Sequence, residues 1–95
     1  MIVEVWVDTP LPGADWRKLV VEANKVFKRL RINYRCLTPE FGVLNRILHV
    51  VEWATLEDRE RYWSRIPPEH QAINEMRKGL FDETALEHYY YRVVE

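Results

Sequence analysis

One cysteine, three glycines and no apolar run long enough to cross a bilayer are what this 95-residue sequence offers where many functional classes need more. The lone Cys36 excludes an internal disulfide and any multi-cysteine metal site, and suits a reducing compartment, so the cytoplasm is the expected location. The apolar stretch around Leu44 to Val51 is interrupted by Arg46 and His49 and falls well short of the ~20 residues a membrane span requires. No membrane partner is expected. Neither sign of charge dominates: 14 basic and 15 acidic residues leave a net charge of −1. Without a basic field there is nothing to draw the chain onto nucleic acid. A phosphate-cradling glycine loop, HExxH, CxxC and a nucleophile elbow are all missing, which removes nucleotide-dependent and zinc-protease chemistry. His49, His70 and His88 fall on separate elements without ligand spacing, so no mononuclear metal site is expected; haem ligation by one histidine stays open without support, and the expectation is of no cofactor. Strand character begins at Ile2, which leaves no room for a leader segment.

What is present is an ordinary globular composition, 47% hydrophobic and 31% charged, sufficient for one core and one domain over residues 1–95. Ile2 to Val7 alternates as a strand, with Val3, Val5 and Val7 on one side. After Pro10, Pro12 and Gly13, the spacing of Trp16, Leu19, Val20, Ala23, Val26, Phe27 and Leu30 predicts an amphipathic helix. Ile32 to Leu37 and Leu44 to Trp53 read as a hairpin turned near Gly42. Thr55 followed by Asp58 starts a second helix, on whose exposed side Glu57 and Arg61 form an i,i+4 pair. Pro67-Pro68 splits that helix before the period resumes through Ala72, Ile73, Met76 and Leu80. Ala85 to Val94, with Tyr89, Tyr90 and Tyr91, closes the chain as a fourth strand.

Strand, helix, strand, strand, helix, strand with right-handed crossovers gives an antiparallel sheet of order 4-1-3-2 with both helices on one face. The all-valine side of the first strand, together with Leu48 and Val50, is expected to meet the helices. The other face then exposes Trp6, Ile47, Val51 and Trp53, too large an apolar patch to leave in water. A second copy is expected to cover it, making a homodimer whose barrel-like interior holds the pocket.

The segment Glu40 to Arg61, EFGVLNRILHVVEWATLEDRER, carries an acidic residue, a glycine and a Leu-Asn pair ahead of a histidine-containing strand, then Leu56-Glu57-Asp58-Arg59-Glu60 at a helix start. This stretch, with Ile2-Val3-Glu4 in the first strand, resembles the NIPSNAP family. The resemblance implies a ferredoxin-like subunit that forms a dimeric α+β barrel. That superfamily hosts oxygenases, isomerases, cyclases and lyases beside non-enzymatic proteins. The chain departs from the family pattern with Trp6 and Asp8 in the first strand, Arg35 in the second, Pro39 before Glu40 and His70 where a tryptophan is usual, so its pocket lining is its own.

Among residues able to do chemistry, His49 stands out. It shares a strand face with Asn45, Ile47, Val51 and Trp53. Antiparallel pairing sets Glu4 opposite either His49 or Val51. A carboxylate beside an imidazole in an apolar interior is an acid–base pair, which makes His49 and Glu4 the catalytic candidates. Trp6, Asn45, Val51 and Trp53 are the candidate ligand contacts, the tryptophans for stacking a flat ring. At least one tyrosine of Tyr89, Tyr90 and Tyr91 must reach the same side, which one being undetermined by the pattern, and Cys36 reads as a small apolar filler. The reading is therefore a homodimer binding a small apolar or aromatic molecule, with cofactor-independent isomerase, cyclase or lyase chemistry. The alternatives are a non-enzymatic binding or interaction module, in which the polar interior specifies the dimer, and an oxygenase on the same scaffold.

Overall fold

A computed structural model describes residues 1–42 and 45–94. Four strands, β1 (Ile2–Asp8), β2 (Asn33–Leu37), β3 (Ile47–Trp53) and β4 (Glu87–Arg92), form one antiparallel sheet of order β2-β3-β1-β4. The topology is the expected one. Leu44, the expected start of the third strand, lies outside the described residues; β3 begins at Ile47. Among the described residues, no helix is long and apolar enough to cross a membrane.

Helix α1 (Trp16–Arg29) buries Leu19, Ala23, Val26 and Phe27, an i, i+4, i+7, i+8 stripe, and carries Lys28 and Arg29 in its last turn, where cations favour the helix dipole. It ends because Arg31 turns left-handed at φ 58°, letting the Ile32 N–H donate back to the Phe27 carbonyl at 2.9 Å. The expected split second helix is two separate helices, α2 (Leu56–Ser64) and α3 (Pro68–Met76). Thr55 caps α2 by accepting from the Asp58 N–H at 3.1 Å, and Pro68 starts α3 where its missing N–H costs nothing. Arg61 pairs with Asp58 at 3.2 Å instead of with Glu57. A short 3₁₀ turn, Glu83–Ala85, precedes β4, so the last strand is shorter than its sequence signal.

The facing of the sheet is opposite to the expectation. In the register Ile2 pairs with Trp53, Glu4 with Val51, Trp6 with His49 and Asp8 with Ile47, and these side chains lie under the helices. Ile47 and Tyr34 pack with Leu19, Phe27 and Ile73 from α1 and α3, while Ile2, Val51 and Trp53 pack with Tyr62 and Trp63 from α2. The face without helices instead carries Val3, Val5, Val7, Leu48, Val50 and Leu37, with Tyr89 and Tyr91 from β4; Val5 and Val50 are buried at its centre, and Leu37, Tyr89 and Tyr91 are exposed. Polar residues on β1 are the cause: Glu4 and Asp8, 0% and 1% exposed, must sit where helix-borne arginines can reach them.

Candidate functional site

Between the sheet and the helices lies a cavity of about 180 Å³, walled by Trp6, Trp53 and Trp63, Phe27, Tyr34 and Tyr62, His49 and His70, Val51, Ile73 and Arg77, among others. It lies within a single chain, on the helix-covered face, whereas Trp6, His49, Val51 and Trp53 were expected on the face turned to a second subunit. An engineered cavity of roughly 150 Å³ accommodates benzene, whereas drug-sized pockets run from about 300 Å³. A single ring fits this one.

One wall is a connected polar chain. The Tyr34 hydroxyl meets His49 Nδ1 at 2.8 Å, and His49 Nε2 lies 3.0 Å from Asp8 Oδ2, off the line of a well-aligned hydrogen bond. Arg77 grips both Asp8 oxygens, at 2.7 and 2.9 Å. Burial would raise the Asp8 carboxyl, but the contact with His49 and the paired hydrogen bonds and charge of Arg77 outweigh it and hold it below the usual carboxylate range. Burial pushes the Tyr34 hydroxyl well up, so it keeps its proton. His49 is itself buried, at 7% exposure. Cys36 stands opposite it on β2, with a thiol pushed up to about 11 by burial and by Asp8, far from a reactive thiolate.

The expected contact between Glu4 and His49 is not made. Glu4 pairs across the sheet with Val51, and its carboxylate accepts from Trp53 Nε1 at 3.0 Å, Arg59 Nη2 at 2.8 Å and His88 Nε2 at 2.7 Å. Burial raises this carboxyl too, but the donors, Arg59 first, bring it below its ordinary value. Glu4 thereby anchors the indole of Trp53, while the His88 ring stacks on Trp6 with centroids 4.8 Å apart. Of the expected ligand contacts, Trp6, Val51 and Trp53 line the cavity with His49. Asn45 does not; it is exposed in the bend before β3. Tyr90 is the tyrosine on the helix side, its ring 5.0 Å from the Arg59 guanidinium.

Sequence reading missed Tyr34, Asp8, Arg77, Tyr62 and His70 as site residues. The last two form a second pair across the cavity, with the Tyr62 hydroxyl 2.7 Å from His70 Nδ1. His70, Ile73 and Arg77 recur at i, i+3 and i+7 along one face of α3 and its C-terminal extension, a periodicity that marks the wall but reads as plain core. Asp8 was visible only as a departure from the family pattern. Among the described residues, no three His, Cys, Asp or Glu side chains gather as a metal site.

The sheet order, the crossovers and a cavity beneath the helices define a ferredoxin-like α+β domain. Solved structures share this fold over the whole chain. A NIPSNAP family protein from Agrobacterium tumefaciens aligns with a TM-score of 0.81 at 20% identity, covering 99% of this chain and 93% of its own. An uncharacterized NIPSNAP domain protein from Burkholderia xenovorans aligns with a TM-score of 0.76 at 16% identity, over 99% and 95% of the two chains. An antibiotic biosynthesis monooxygenase gives 0.71 at 9% identity, over 100% of both. At these identities the likeness is one of fold. No protein-family model and no functionally curated protein matches the sequence.

Proposed function

We propose that this is a NIPSNAP-type protein that binds a ring-sized apolar or aromatic molecule in the cavity and moves protons on it without a cofactor, as an isomerase, cyclase or lyase does. The observation that carries the reading is the Tyr34–His49–Asp8–Arg77 chain set into an otherwise aromatic wall. Asp8 stays ionised and faces Nε2, which favours the tautomer with its proton there and leaves Nδ1 to accept from Tyr34. A proton leaving a substrate carbon reaches the Tyr34 oxygen as the phenolic proton passes to His49 Nδ1, giving an imidazolium beside the Asp8 carboxylate. The reverse transfer returns a proton to another substrate atom. In this scheme Tyr34 is the catalytic group at the substrate, with His49 as relay, and Glu4 is a positioning residue for Trp53.

The uncovered apolar face supports a homodimer built by sheet-to-sheet contact, and the single half-buried thiol suits the cytoplasm. Titration with toluene, followed by NMR of the tryptophan and isoleucine side chains, tests the binding claim: saturable shifts confined to the cavity wall support it, and an unresponsive wall defeats it. The whole-chain likeness to a protein named as a monooxygenase favours one second reading, oxygenation of the bound ring in the same cavity. Oxygen uptake dependent on protein and ring compound would distinguish it from proton transfer.

A further inference from the structure

His70 differs from the other imidazole of the cavity wall. His49 has a polar group at each ring nitrogen, Tyr34 at Nδ1 and Asp8 at Nε2. His70 has Tyr62 at Nδ1, 2.7 Å away, and no hydrogen-bond partner at Nε2 among the described residues. Yet His70 is only 7% exposed. Its ring meets Phe27 edge-on at 5.0 Å and Trp63 at 5.4 Å, both part of the cavity wall. Nε2 itself is not sealed, so a small polar group can reach it, and the ring that carries it lines the cavity. The site has room for the missing partner in the cavity itself.

The tautomer follows from the partners. Burial pushes the Tyr62 hydroxyl up to about 12, so it keeps its proton, and burial lowers the pKa of His70, so the ring is neutral. An imidazole nitrogen is a much stronger acceptor than a phenolic oxygen, so Tyr62 donates to Nδ1 and the ring proton resides on Nε2. An N–H donor of fixed tautomer thus sits on this wall, beside the unpartnered indole N–H of Trp63.

We infer that His70 Nε2 donates the hydrogen bond that recognises the cavity's ligand, and that this ligand is a ring compound bearing a carbonyl oxygen rather than a bare hydrocarbon. The inference rests on the cavity being the binding site. Within that site it names the substrate class, a cyclic or aryl carbonyl compound, whose oxygen is held by α3 while the ring lies among the tryptophans. Such a group also acidifies the neighbouring C–H bonds, the kind of proton that the Tyr34–His49 relay can move.

Toluene and acetophenone, similar in size and differing in the carbonyl, are the probes. In wild-type protein acetophenone should move the His70 Nε2 nitrogen resonance and toluene should not. His70→Phe should weaken acetophenone about tenfold, the scale of one lost hydrogen bond, and leave toluene within about twofold. Tyr62→Phe, which keeps the ring and frees its tautomer, should weaken acetophenone by about threefold and give a mixed tautomer spectrum. It also serves if His70→Phe fails to fold. If both probes bind and acetophenone leaves Nε2 unmoved, or loses no more affinity than toluene in the variants, the His70 assignment is wrong and the cavity reading stands. If neither binds wild-type protein, both fall.

Discussion

His49 Nε2 lies 3.0 Å from the carboxylate of Asp8, the last residue of β1, and Asp8 is in turn gripped through both oxygens by Arg77. This contact fixes the imidazole between a carboxylate that stays ionised and a tyrosine that stays protonated. His49→Gln removes the relay while keeping a hydrogen-bonding side chain of similar reach. The variant should fold, lose about 1 kcal/mol of stability, and slow proton transfer on a bound substrate by ~10² or more. Denaturation and turnover measured on the same preparation check both halves.

Acid should destabilise the fold. Glu4 and Asp8 titrate lower in the folded chain than in the unfolded one, because their donors outweigh the burial that raises them. Their contribution is complete above the unfolded values near ~4 and is lost as pH falls through the folded values. His70 acts in the same direction higher on the scale: burial lowers its pKa from 6.5, so the folded state resists the proton the unfolded chain takes up. Melting temperature should therefore decline from pH 7 to 5 and again below pH 4. In His70→Phe the first decline should be shallower.

Removing one side of a buried ion pair is costly. Arg59, on α2, holds the fully buried Glu4 through Nε and Nη2 at 3.2 and 2.8 Å. Arg59→Met keeps the aliphatic stem and strands the carboxylate with Trp53 and His88, so urea denaturation should show a loss of about 3 kcal/mol.

Strand order, both crossovers, the Thr55 cap and the proline break were legible because each depends on local spacing. The facing of the sheet was not. Alternation divides β1 into Val3, Val5 and Val7 against Ile2, Glu4, Trp6 and Asp8, but it cannot say which set lies under the helices. That depends on Arg59 and Arg77, which lie 55 and 69 residues further along the chain from the carboxylates they bind. The valine set looked like the helix-facing core and instead lies on the other face, with Val3 and Val7 half-buried and Val5 buried among its neighbours. The same inversion put the cavity beneath the helices of one chain, and the register, with Glu4 opposite Val51 and Trp6 opposite His49, made Asp8 rather than Glu4 the partner of His49. Trp6, Val51 and Trp53 line the cavity because strand alternation sets them on one face with His49, a grouping that holds whichever face is covered.

The open face predicts self-association by residues other than those the sequence suggested. Leu37 and Tyr89 are 44% and 41% exposed there, beside Val5 and Val50. Tyr89→Asp should leave the subunit folded, since the side chain is half in solvent, and shift sedimentation from dimer to monomer by placing a charge in the interface. A wild-type protein that sediments as a stable monomer contradicts the dimer. Val51→Asp, by contrast, buries its charge beneath the helices and should unfold the subunit.

The central claim is that the ligand binds between the sheet and the helices of one chain. Its most direct test is to record intermolecular NOEs from toluene to the uniformly labelled protein. The account predicts contacts to Trp6, Trp63 and Ile73, all on the cavity wall, and none to Val3, Val50 or Tyr89. NOEs to the valine face, with the cavity wall silent, would place binding between subunits and contradict the account.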